Sequence, residues 1–202
     1  MPKIAAKTVS VILHPLIMPG IGLLLLLNSG TYLEFLTFQQ KRAIFVILFL
    51  GTTILPLTLM PVIILYRRSL SLEMASHRDR VLPLFTTVIF YGFTWHMLTR
   101  LNAPALITTY AITGALTVLL CAIVSVRWKI SLHMAAQGAL AGVLLAVAFR
   151  FSINLQLLLA LVFLTGGVTG WARLTLGAHT PAQVYTGYLS AFMIAFFVMF
   201  SF

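Results

Sequence analysis

Long apolar runs separated by short polar breaks set the rhythm of this chain. Seven runs can be drawn, at roughly 10–28, 43–66, 82–99, 104–126, 131–149, 153–173 and 181–201. Most are close to the ~20 residues that a helix needs to cross the hydrocarbon of a bilayer. The pattern predicts an all-α, polytopic transmembrane helix bundle of about six to seven spans. Successive spans leave only short connections, so a single integral membrane domain covering 1–202 is expected, with no soluble domain, repeat or low-complexity linker. The first run holds His14-Pro15 and Pro19 and the second holds Pro56 and Pro61, so both are expected to kink. The breaks at 100–104 and 150–153 fold the third run onto the fourth and the fifth onto the sixth as helical hairpins.

Composition agrees with the pattern. Of 202 residues 61% are apolar and 8% charged, which excludes an ordinary soluble globular domain. Thirteen Lys and Arg face three acids, Glu34, Glu73 and Asp79. The basic residues stand at span ends and in short loops, so the expected partners are membrane lipids and phosphate-bearing substrates rather than nucleic acid. Cys121 is the single cysteine and has no partner for an intramolecular disulfide. Lys3 and Lys7 precede the first run without a small-residue cleavage site, so 10–28 reads as a retained span rather than a removed signal peptide.

If all seven runs cross, the connections alternate between two faces. The N-terminus and the loops 67–81, 127–130 and 174–180 share one of them. That face carries Lys3, Lys7, Arg67, Arg68, Arg78, Arg80, Arg127, Lys129 and Arg173, against Lys41, Arg42, Arg100 and Arg150 opposite, and the positive-inside rule leans it to the cytoplasm. The same alternation brings His133 and His179 to one side, together with Arg78 and Arg80.

The most informative stretch runs from Trp171 to Tyr188. An apolar helix reaches Arg173, stops near Gly177, presents His179 and restarts at Thr180-Pro181. Pro suits the first helical position, and Thr180 with Gln183 three residues later makes a capping box. His179 therefore stands beside the free N–H groups of a new helix, where anions are attracted. Arg173 adds a guanidinium fork suited to phosphate oxygens.

This segment resembles the third signature of the type 2 phosphatidic acid phosphatase superfamily, in which Ser-Arg is followed after five residues by His and after three more by Asp. Arg173 and His179 hold the matching places, Ala172 stands for the Ser, and Gln183 stands for the Asp. The second signature, Pro-Ser-Gly-His, keeps only Ser131 and His133. The first is represented by a loop from Glu73 to Pro83 that carries Arg78 and Arg80 without the expected spacing. The resemblance covers about 73–190 and implies a phosphatase-like core there, in a multi-pass protein of a bacterial cytoplasmic membrane. It implies that His179 attacks phosphorus to form a phosphohistidine and that His133 protonates the departing lipid oxygen and later activates water. Arg173, Ser131, Arg78 and Arg80 are then expected to hold the phosphate, with Gln183 orienting His179. No cofactor or metal is expected. The substrate class implied is a phosphate monoester or diphosphate of a polyprenyl lipid or glycerolipid.

Plainer roles stand beside these. Ser131 would be a helix cap and His133 an interfacial polar residue; Gln137, one turn on, would orient His133 or bond a neighbouring helix; His14 would mark a kink, and His77 and His96 would be solvated or interfacial. Loss of the acid at position 183 leaves three alternatives: a working enzyme with an altered orienting group, a slow enzyme, or a protein that binds, moves or scaffolds phosphorylated lipids. The glycines Gly138 and Gly142 in the fifth run, and Gly166, Gly167 and Gly170 in the sixth, are expected to let helices approach closely and hold the site rigid.

Overall fold

A computed structural model of the chain describes residues 1–66 and 78–202, and the side chains of all of these except 63–66 and 78. The described residues form an all-α bundle. Helices α1 (Pro2–Ile12) and α2 (Met18–Leu27) come first, and α3 starts at Phe38–Phe49 and runs through a π-helical turn, Leu50–Ile54, into Leu55–Tyr66. Then follow α4 (Val81–Arg100), α5 (Ala105–Ser125), α6 (Leu132–Phe151), α7 (Gln156–Thr175) and α8 (Pro181–Ser201). Among the described residues six helices, α3 to α8, are long and apolar enough to cross a membrane, and this is compatible with an integral multi-pass membrane protein.

The first apolar run differs from expectation. It does not kink but breaks, with residues 13–17 outside both α1 and α2. Pro15 and Pro19 each remove a backbone donor, and together they stop one helix and open the next. The ten residues of α2 reach only ~15 Å, about half the hydrocarbon thickness. In α3, by contrast, the π turn lies just ahead of Pro56 and lets the helix continue. Thr53 Oγ1 donates to the carbonyl of Leu16 in the first break (2.7 Å), which ties α3 to it.

Helix α6 is the centre: 61% of its apolar stretch is buried, against 44% or less for any other span. Its closest neighbour is α8, which runs parallel to it. A Cβ on Gly138 would lie 2.1 Å from the Tyr188 carbonyl oxygen, one on Gly142 2.4 Å from that of Phe192, and one on Gly187 2.8 Å from that of Ser131. Only glycine permits this approach of backbones. The close packing expected at the fifth-run glycines is present, and its partner is α8. In α7 only Gly166 meets α8 tightly, at the Tyr188 ring (3.0 Å), while Gly167 faces open space. Around this seam, Leu23, Leu26, Leu48, Leu106, Ile107, Leu144 and Met199 make a continuous apolar core.

Because α6 and α8 are parallel, both of their N-termini lie at one end of the bundle. The Ser131 N–H donates to the Gln183 carbonyl across them (3.4 Å).

Candidate active site at the paired helix starts

Helix α7 ends in a Schellman motif. Gly177, at φ +62°, takes the left-handed conformation that lets its N–H reach Leu174 O (2.9 Å), while the Ala178 N–H reaches Arg173 O (3.2 Å). Helix α8 then opens with the expected capping box: Thr180 Oγ1 accepts from the Gln183 N–H (3.4 Å) and Gln183 Oε1 accepts from the Thr180 N–H (3.2 Å). These local bonds fix His179 relative to Arg173.

Gln183 does more than cap. The same Oε1 lies 3.1 Å from His179 Nδ1. An oxygen already receiving a backbone N–H is an acceptor, so the ring nitrogen facing it must donate. The neutral ring of His179 therefore carries its proton on Nδ1 and a lone pair on Nε2. His179 is only 7% exposed. Burial, aided by the charges of Arg173, Arg80 and Lys129, holds its pKa down at about 4, with the Gln183 bond working the other way. At neutral pH it is an uncharged base.

His133, one residue into α6, donates Nε2–H to the backbone carbonyl of Ser10 (3.0 Å), since a carbonyl can only accept. Its lone pair is thus on Nδ1. Arg173 reaches Ser10 as well, Nη1 donating to the hydroxyl (3.4 Å). Its Nε is buried and has no hydrogen-bond partner among the described residues. One residue at the end of α1 therefore touches both His133 and Arg173.

These groups share a cavity of about 360 Å³. Arg80, His133, Arg173, His179 and His14 line its polar part, and deeper in its walls are apolar, with Leu84, Tyr91, Tyr110, Leu140 and Val143. Arg80 is buried in the short 3₁₀ turn before α4; burial and then Arg173 disfavour its charged form, while Asp79 favours it. Lys129, in the loop before α6, is held below its usual range by partial burial, then by Arg80 and Arg173. The guanidinium groups of Arg80 and Arg173 and the first turn of α6 thus face one volume, with Lys129 outside its lining.

The sequence-predicted residues divide as follows. His133, His179, Arg173 and Arg80 come together, and Gln183 orients His179. Ser131 stands at the N-cap of α6 but makes no side-chain cap bond; it is fully buried, is not among the side chains lining the cavity, and its hydroxyl has no partner among the described residues. The expected phosphate contact from Ser131 is therefore not seen at the cavity wall. The side chain of Arg78 lies outside the described residues, as do Glu73 and His77. Gln137 is engaged with Thr165 (3.1 Å) and Met18 (3.5 Å), bonding neighbouring helices. Among the described residues no three His, Cys, Asp or Glu side chains gather closely enough to hold a metal ion.

Sequence reasoning passed over Ser10, assigned His14 only to a kink and counted Lys129 only among the basic residues of one face. The signal for the first two was the break itself: a discontinuous apolar helix leaves backbone groups unpaired, and such backbone is tolerated at membrane depth where it is buried in protein or lines a cavity. No protein family, curated protein or solved structure matches the chain in comparisons with all three.

Proposed function

We propose that the chain is a membrane lipid phosphatase that cleaves a phosphate monoester or diphosphate from a lipid through a phosphohistidine on His179. One observation carries the reading: the His179 ring, its proton held on Nδ1 by Gln183, shares a cationic pocket with Arg173 and His133. The resemblance of 171–183 to the third phosphatidic acid phosphatase signature supports it independently. Gln183 takes the orienting place of the missing carboxylate without supplying charge.

In the proposed reaction the Nε2 lone pair of His179 attacks phosphorus and the bond from phosphorus to the lipid oxygen breaks. The leaving oxygen takes a proton from His133 in its imidazolium form, the charge of which the substrate's phosphate balances. Water then attacks the phosphohistidine, giving one proton back to His133 and releasing inorganic phosphate, and His179 returns to its neutral state. Arg173 and Arg80 stabilise charge on the phosphoryl oxygens. The apolar depth of the cavity accommodates lipid chain next to the phosphate.

The test is phosphate release by detergent-solubilised protein, with a chelator present, from a panel of phosphatidic acid, lysophosphatidic acid and polyprenyl mono- and diphosphates. Release from at least one is expected, abolished in His179→Ala and reduced at least ~10²-fold in His133→Ala. Wild type and His179→Ala equally inactive across the panel, yet binding lipid phosphate alike, would remove the enzymatic reading. That outcome would favour the second reading, a lipid-phosphate binder without turnover, for which the neutrality of Gln183 is the supporting observation.

A further inference from the structure

We propose that His14, in the break between α1 and α2, is a third imidazole of the site and contacts substrate through Nε2–H as a neutral hydrogen-bond donor to a phosphoryl oxygen. The inference rests on the phosphatase reading above and adds to it a residue far outside the stretch 73–190 that carries the family resemblance.

Geometry places His14 with the other two rings. It lines the same cavity as His133, His179, Arg80 and Arg173. Its ring stands edge-on to that of His133, with centroids 5.4 Å apart and an interplanar angle of 82°. The Leu16 N–H donates to His14 Nδ1 (3.3 Å). A backbone N–H can only donate, so Nδ1 carries the lone pair and the proton of the neutral ring is on Nε2.

The three rings are thus differentiated by their partners. His179 gives its N–H to Gln183 and keeps Nε2 as a nucleophile. His133 gives its N–H to the Ser10 carbonyl. His14 accepts at Nδ1, and its N–H is the one imidazole donor of the three with no protein acceptor among the described hydrogen bonds. A neutral imidazole does not hand over that proton, because imidazolate is far too basic. Its contribution is a fixed dipole aimed at developing charge, the electrophilic role that a neutral histidine can fill in a desolvated site. Proton transfer stays with His133 and nucleophilic attack with His179, so the reaction's proton balance is unchanged.

The break in the first apolar run gains a reason from this. A continuous helix would hold position 14 in its own ladder. The turn at 13–17 brings the Ser10 carbonyl to His133 and the His14 ring to the cavity together. Half-helices of this kind mark binding sites in other membrane proteins by the same backbone logic.

The experiment compares wild type, His14→Phe and His14→Gln as full chains in detergent. Phe keeps the flat shape packed on His133 but removes the donor; Gln restores an N–H of similar reach. Two quantities are read: kcat and KM on whichever lipid phosphate the wild type hydrolyses best, and competitive inhibition by orthovanadate, which mimics the pentacoordinate phosphoryl group. We expect His14→Phe to lower kcat/KM and vanadate affinity by ~10- to 100-fold, the worth of a hydrogen bond to a charged group, and His14→Gln to recover most of both. Unchanged values in His14→Phe, with wild type active and His179→Ala inactive, overturn the His14 inference and leave the phosphatase reading standing. His14→Gln as impaired as His14→Phe also overturns it, showing that only ring packing matters. A wild type inactive on every substrate and insensitive to vanadate overturns the phosphatase reading and this inference with it.

Discussion

Replacing Gly138 by Ala adds one methyl group where α6 and α8 are closest. The new Cβ would lie 2.1 Å from the carbonyl oxygen of Tyr188 and 2.8 Å from its carbonyl carbon. Both are backbone atoms and an alanine has no rotamer to change, so relief must come from separating the two helices by roughly 1 Å to reach even a short van der Waals contact. Over-packing of this kind costs ~1–3 kcal/mol, and with no flexible side chain to yield the upper end applies. At ~1.4 kcal/mol per tenfold, the folded-to-unfolded ratio falls by ~10². Gly167→Ala is the matched control. It lies in the neighbouring helix α7 and its Cβ would meet nothing within 4 Å, so it gains only the helix preference of Ala over Gly, ~0.5–1 kcal/mol stabilising. Thermal unfolding in one detergent should therefore show Gly138→Ala well below wild type and Gly167→Ala at or above it. The same separation moves His133 relative to His179, and in the proposed reaction a ~1 Å misplacement of these groups would cost ~10²-fold in rate. Gly138→Ala with the stability of Gly167→Ala would refute the glycine seam as the element that fixes the site.

Other outcomes follow from particular bonds. Thr180→Ala removes the side-chain cap of α8 and should cost ~1 kcal/mol of stability, seen in chemical or thermal unfolding. Gln183→Glu keeps the reach of the capping box and adds a negative charge facing His179 Nδ1; if the site is catalytic, turnover on a lipid phosphate should rise, and unchanged turnover would mean that charge at this position does not limit the rate. Arg173→Lys replaces the guanidinium fork with a point charge and should weaken vanadate inhibition by ~10-fold, Arg173→Ala by more. For pH, His179 is held near 4 in the folded protein against 6.5 when free. The unfolded chain binds more protons between those values, so its contribution to stability is complete above 6.5, falls as pH drops and is gone below about 4. Unfolding of wild type against His179→Gln from pH 7 to pH 4 should show the difference shrinking.

How much was legible depended on whether the determinant was local. The turn from Arg173 to Thr180 was readable because the glycine-ended helix and the capping box are decided by residues within a few positions of each other. Six of the seven runs were readable because their apolar length is that of a spanning helix, whereas the first run has the length but is broken around its prolines. His14 was not, since nothing in His-Pro says which distant ring will meet it, and a proline pair signals a bend without telling whether neighbours will satisfy a full break. Gly138 and Gly142 announced a close approach but not its partner, because a small-residue face fits any helix of complementary shape. The sequence around Ser131 fits a cap or a phosphate contact, whereas its burial at the α6–α8 junction depends on the parallel arrangement of helices that share no local pattern.

Gln183 Oε1 serves both the first turn of α8 and the imidazole before it, and the two duties are inseparable. Warming that frays this single turn would release the ring at the same moment, leaving His179 free to swap tautomers while every span is still folded. Heat should accordingly loosen the His179 ring before the bundle melts, and a ligand that clamps the ring should in return pin the end of the helix.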